Sequence, residues 1–143
     1  MTVVRFLRAD KWVTHNYDVR LALGDLQSAI SAAARARTSF LDSGDDSNLA
    51  SYSASKTEAH EKLVQVRDLT KDNPAQQALS NWLEDNALRR LELLDTSIEL
   101  PKSGPLDEAT QLRLSHENID AATDVMDVTE KMDDEEERLL DQR

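Results

Sequence analysis

The chain has 143 residues, enough for one domain with its own core, and no cysteine, so disulfides and thiolate metal sites are excluded. Its formal net charge of −11 disfavours nucleic acid and anionic membrane surfaces as partners. Three Gly, three Pro and few aromatics, set among many Ala and Leu, point to an all-α protein.

The opening "MTVVRFLRAD" has no apolar core long enough for a signal peptide, and no run of 18 apolar residues that could span a membrane occurs anywhere. Val3, Val4, Phe6 and Leu7 are nonetheless apolar. They fit either a short packed extension or the end of an apolar segment upstream. A first helix is expected over about 9–41. Read at every third or fourth position it gives Trp12, Asn16, Val19, Leu23, Leu26, Ile30, Ala33, Arg37 and Phe40. Asn16 and Arg37 break an otherwise apolar seam, three heptads apart and ~31 Å along a helix.

"DSGDDSN" (42–48) is a turn cluster, with Asp46 or Ser47 as candidate cap of the second helix, about 47–70. That helix carries Leu49, Tyr52, Lys56, Ala59, Leu63 and Val66 at spacings of three and four. "DNP" (72–74) is the next break: Asn73 at N-cap, Pro74 at the first helical position and Gln76 at the third form a variant of the capping box. The third helix, about 74–99, carries Leu83, Ala87, Leu91, Leu94 and Ile98. After "PKSGP" (101–105) the fourth, about 107–141, carries Leu112, Ile119, Ala122, Met126, Thr129, Met132 and Leu139. Four amphipathic helices with short connections predict an antiparallel up-down-up-down four-helix bundle. Its long first and fourth helices should project at the end that holds both chain termini. Charge is uneven: residues 1–41 hold six basic and three acidic side chains, residues 107–143 four and thirteen. This reads either as solvated surface or as opposite fields that place the first and last segments side by side.

Catalytic and metal patterns are missing. None of His15, His60 and His116 has an acid three residues before it, as di-iron bundles require. "HEKLV" and "HENID" lack the second His of a zincin helix, and "DSGDDSN" lacks the spacing and closing Glu of an EF-hand. There is no phosphate-binding or dinucleotide fingerprint. "DDEEE" (133–137) reads as a solvated helix face. No catalytic residue, metal ligand or cofactor is therefore expected, and the chain itself is not read as an enzyme.

Four segments in order resemble the extracellular sensory domains of the CHASE family, third type (cyclase- and histidine-kinase-associated sensory). "WVTHNYDV" (12–19) is similar to that family's opening Val-x-His-Thr motif, with His15 matched and Asn16 in place of the usual Thr. "ARARTSFLDSGDD" (34–46) sits where the family has an Arg-Gly-aromatic-Leu segment and a Gly turn, with Arg37 as the arginine. The acid usual four residues before that arginine is Ala33 here, and the following Gly is Thr38. "RDLTKDNPAQQ" (67–77) matches the break Leu-Thr-x-Asp-Asn-Pro-x-Gln, with Asp72, Asn73, Pro74 and Gln76. "MDDEEERLLDQR" (132–143) resembles the closing Met-x-x-x-Glu-x-x-Leu-Leu-x-x-Arg, with Glu136, Leu139, Leu140 and Arg143.

The resemblance implies a four-helix sensor domain outside the bacterial cytoplasmic membrane, anchored by two flanking membrane helices. It implies an output domain, a histidine kinase first and a diguanylate cyclase second. Residues 1–11 would be a membrane-proximal extension of the first helix and 12–143 the sensor proper. The partner would be an unidentified small-molecule or protein stimulus, with no nucleic acid, and the membrane-inserted parent would be a homodimer. Arg37 has three readings: a stem that packs while its head snorkels or pairs, part of a polar layer that keeps two packings close in energy, or an anion-binding side chain. Lys56 has the same three. Asn16 and Arg37 together are candidate switch residues. The rival reading is a non-sensing helical adaptor whose acidic fourth helix binds a basic partner.

Overall fold

The computed structural model describes the backbone of residues 2–142 and the side chains of residues 11–142. Val3, Val4, Phe6, Leu7 and Arg143 thus lie outside the described side chains. Four α-helices follow one another: α1 (Thr2–Ser43), α2 (Asp46–Thr70), α3 (Pro74–Glu99) and α4 (Glu108–Asp141), with a short 3-10 turn at Leu100–Ser103 before α4. They form the expected four-helix bundle, and no strand occurs among the described residues. The closest pairs are α1 with α2 and α3 with α4; α1 also meets α3 across the bundle.

Helix α1 starts seven residues before the position expected from the seam. Nothing between Thr2 and Lys11 is Gly or Pro, so no residue there halts a helix. At 1.5 Å per residue α1 is ~63 Å long and α4 ~51 Å, against ~37–39 Å for α2 and α3. The side chains of residues 11–14 are exposed and burial begins at Asn16, so the start of α1 runs beyond the turn that joins α2 to α3.

Short turns set the antiparallel order. Gly44 takes φ 71° after α1, a left-handed C-cap that its N–H closes on Phe40 O at 2.7 Å. The cap of α2 is Asp45, not Asp46 or Ser47: its carboxylate accepts from Ser47 N at 2.9 Å, one residue earlier because Gly44 alone completes the turn. Asn73 caps α3 as expected, accepting from Gln76 N at 3.2 Å, with Pro74 in the first turn. Asp107 caps α4 through Thr110 N at 2.7 Å.

The core comprises Val19, Leu23, Leu26 and Ile30 of α1, Tyr52, Leu63 and Val66 of α2, Leu83, Leu91 and Leu94 of α3, and Val125, Val128 and Met132 of α4. Alanines at 22, 29, 33, 59 and 87 are buried among them and let the helices approach closely. The stripes of α1 to α3 are the expected ones, except that Trp12 at the start of the α1 seam is exposed. That of α4 is not: Leu112, Ile119 and Met126 are exposed, and Leu114, Ala121, Val125 and Val128 are buried instead. Leu112 and Met132 are 20 residues apart, which at about 100° per residue sets them ~200° around the helix, on opposite sides. Counting back from Met132 in steps of three and four reaches Val128, Val125, Ala121 and Leu114, and that continuous face wins.

Candidate functional site

Two polar clusters interrupt the core, one toward each end of the bundle. The first lies where the chain termini emerge. Asn16 Nδ2 of α1 donates to the main-chain oxygen of Glu136 on α4 at 2.8 Å. Gln76 Nε2 of α3 donates to Met132 O at 2.9 Å and to Glu136 Oε2 at 2.7 Å. All three side chains are buried, Gln76 completely and Glu136 to 2% exposure. Gln76 is therefore not the returning arm of a capping box: its amide turns inward to α4 and leaves Asn73 to cap alone. Gln76 Oε1 has no hydrogen-bond partner although buried. This junction ties α1, α3 and α4 together at one level.

Other residues of the sequence motifs surround it without chemistry of their own. His15 packs edge-to-face against Trp12, ring centroids 6.1 Å apart. Asp72 is exposed in the α2–α3 turn, and Leu139 and Leu140 are half-buried near the end of α4. On the flank, Arg20 Nε lies 3.7 Å from Asp133 Oδ1, an ion pair that links basic α1 to acidic α4. Burial pushes the Asp133 carboxyl up, and Arg20 offsets part of that.

The second cluster is at the opposite end, where α1 finishes and α4 begins. Arg37 Nη1 donates to Ser97 Oγ at 3.2 Å, and Ser97 Oγ donates on to Leu94 O at 2.7 Å. Arg37 Nε is buried and has no partner. Arg90 Nη1 reaches Asn118 Oδ1 at 3.1 Å. Arg37 and Arg90 both line one cleft of about 430 Å³ between the end of α1, the end of α3 and the first half of α4. Gln111, Ser115 and Asn118 add polar walls, and Leu41, Leu106 and Ile119 apolar ones. No Asp or Glu is among the lining residues, and neither arginine forms an ion pair among the described residues. Burial lowers the pKa of both, and for Arg90 the nearby charge of Arg37 adds to it. Where the sequence motif would place an acid four residues before Arg37 stands Ala33, fully buried, so Arg37 has no carboxylate one turn away on its own helix.

Lys56 is placed differently. Its Nζ binds Asp95 Oδ2 at 2.6 Å while Tyr52 OH donates to Asp95 Oδ1 at 2.5 Å, so the ammonium already has a carboxylate partner. Arg90 was not singled out from the sequence. It directly follows Arg89, which is exposed and pairs with Asp124 at 3.3 Å, and nothing in the pair "RR" says which one turns inward. The stripe of α3 does: Arg90 precedes the buried Leu91 and lies four residues before Leu94.

Among the described residues no group of three His, Asp or Glu is placed to hold a metal ion, and no helix is long and apolar enough to cross a membrane. The CHASE3 domain family matches residues 9–143, nearly the whole chain. The chain belongs to the CHASE3 domain family. CHASE3 domains are extracellular sensory domains of signalling proteins, and this one is a sensory rather than a catalytic unit. No curated protein and no solved structure matched the chain. In this CHASE3 domain the family-like segments around residues 16, 76 and 136 meet in the buried junction, and the arginine segment stands apart at the cleft.

Proposed function

We propose that this CHASE3 domain is the sensor of a membrane-anchored bacterial protein, held on the periplasmic or extracellular face by flanking membrane helices, with a histidine kinase as its output and a diguanylate cyclase as the second choice. Residues 1–11 would carry α1 toward the membrane, and the parent would act as a homodimer. One observation carries the reading. The two longest helices, α1 and α4, hold the chain ends, run side by side, and are joined near those ends by the Asn16–Glu136 hydrogen bond. A displacement of one against the other is therefore delivered where a membrane helix would continue it. A stimulus can shift such a bundle only by binding two packings differently, so the packings must lie within a few kcal/mol.

The coding sequence on both sides of these residues tests this directly. The sensor reading expects an apolar span of about 20 residues before and after the domain, with a kinase or cyclase downstream. A gene with neither span would overturn it and favour the helical adaptor, whose acidic α4 would bind a basic partner.

A further inference from the structure

We propose that the cleft between α1, α3 and α4 is a binding site for a small organic acid, a molecule with a carboxylate held between Arg37 and Arg90, an apolar body and no positive charge. As the stimulus site, it rests on the sensor reading; as a binding site, it stands on the cleft alone.

The first argument is charge. Two arginines from different helices line one cleft, and its wall holds no carboxylate. Asp95 on α3 is taken up by Tyr52 and Lys56. Of the other described arginines five have acids, Arg20 with Asp133, Arg67 with Glu84, Arg89 with Asp124, Arg113 with Glu117 and Arg138 with Glu135, and the sixth, Arg35, is exposed to solvent. In a chain of net charge −11, two half-buried arginines left without one are the exception. An anion between them offsets their mutual repulsion.

The second argument is shape and lining. About 430 Å³ suits a small organic molecule and is far more than one inorganic anion needs. Leu41, Leu106 and Ile119 give the apolar wall against which a hydrocarbon part would lie. Ser115 and Asn118 offer hydroxyl and amide groups for further polar atoms. With no acid in the wall, the ammonium of an amino acid would find no charged partner, so amino acids are disfavoured.

The third argument is position. Arg37 belongs to α1, Asn118 to α4 and Arg90 to α3. A ligand bound by all three changes how α1 and α4 sit against each other at the end remote from the termini.

The test is titration calorimetry on the purified domain with succinate, benzoate, aspartate and inorganic phosphate, each up to about 10 mM. Succinate or benzoate should bind with one site per chain. Arg37→Gln and Arg90→Gln should each weaken that binding at least tenfold, about 1.4 kcal/mol, while Arg89→Gln leaves it unchanged. Circular dichroism of each variant confirms folding, and the two arginine variants serve as independent checks should one misfold. Four results overturn the proposal: no saturable binding of either acid, binding that survives loss of both arginines, aspartate binding as tightly as succinate, or phosphate binding as tightly as both acids. All are independent of the flanking gene sequence, so a failed site and a failed sensor reading are told apart.

Discussion

The side-chain amide of Asn16 donates to the main-chain oxygen of Glu136 at 2.8 Å, joining positions 120 residues apart near the two ends of the chain. The helix hydrogen bond of that carbonyl does not use its second lone pair, so the amide adds a bond without breaking one. Replacing Asn16 with Ala removes it and leaves a small gap at a site that is 7% exposed. The loss expected is about 1–2 kcal/mol in urea unfolding of the isolated domain. An unchanged midpoint would mean that the amide is better served by water.

Gln76 and Glu136 form one unit, and their substitutions should not add. Gln76→Leu strips Glu136 Oε2 of its donor in a buried place and should cost about 2–3 kcal/mol. Glu136→Leu leaves the Gln76 amide with Met132 O alone and adds a shape change. The double variant removes both polar partners, so it should be more stable than the sum of the single losses predicts, by about 1 kcal/mol or more. Denaturant titrations of all four proteins measure the coupling. Additive losses would show that the bond at 2.7 Å carries no net energy.

The bundle and three of its four stripes could be read from spacing because in α1, α2 and α3 one face carries the long apolar run, while exposed residues such as Val13, Leu21, Val64 and Leu88 build no rival run of that length. In α4 they occupy two, and spacing alone does not choose between Leu112–Ile119–Met126 and Leu114–Ala121–Val125. The choice depends on what α1 and α3 offer, which is a tertiary fact. Gln76 shows the same limit: its place at the third residue of α3 fits a cap, and only the approach of α4 draws the amide inward. Asn16 and Arg37 were visible as polar intruders, but whether each had a partner was not. Asn16 has one, and Arg37 has Ser97 and an unfilled Nε. Arg90 had no signal short of placing it on the wheel of α3.

Tyr52 predicts an alkaline response. Burial and the hydrogen bond to Asp95 both raise its pKa well above the ordinary tyrosine value. A group whose folded pKa is raised stabilises the fold in its protonated form. That contribution is complete below the unfolded pKa of about 10 and is lost as pH rises above it. Unfolding free energies of wild type and Tyr52→Phe should therefore differ most below pH ~10 and converge above it, a comparison that cancels the lysines common to both. A constant difference through that range would show that the phenol does not titrate with folding.

Arg37 tests the packer, the switch and the ligand clamp at once. Its guanidinium is half-buried, makes one hydrogen bond and has an unsatisfied Nε, so in the empty domain it costs more than it returns. Arg37→Leu should raise the melting temperature of the isolated domain by about 2–4 °C. In the membrane-anchored protein the same change should fix output high or low and blunt the response, because the ligand and the exchangeable partner are both gone. Arg37→Lys keeps the charge without the planar fork, so it should lose part of the response and little of the stability. The measurements are melting curves beside output activity against succinate or benzoate for wild type and both variants. A stabilised Arg37→Leu that still responds in full would leave the residue as a packer whose head snorkels to solvent. A destabilised Arg37→Leu would mean that the bond to Ser97 outweighs the burial of the charge.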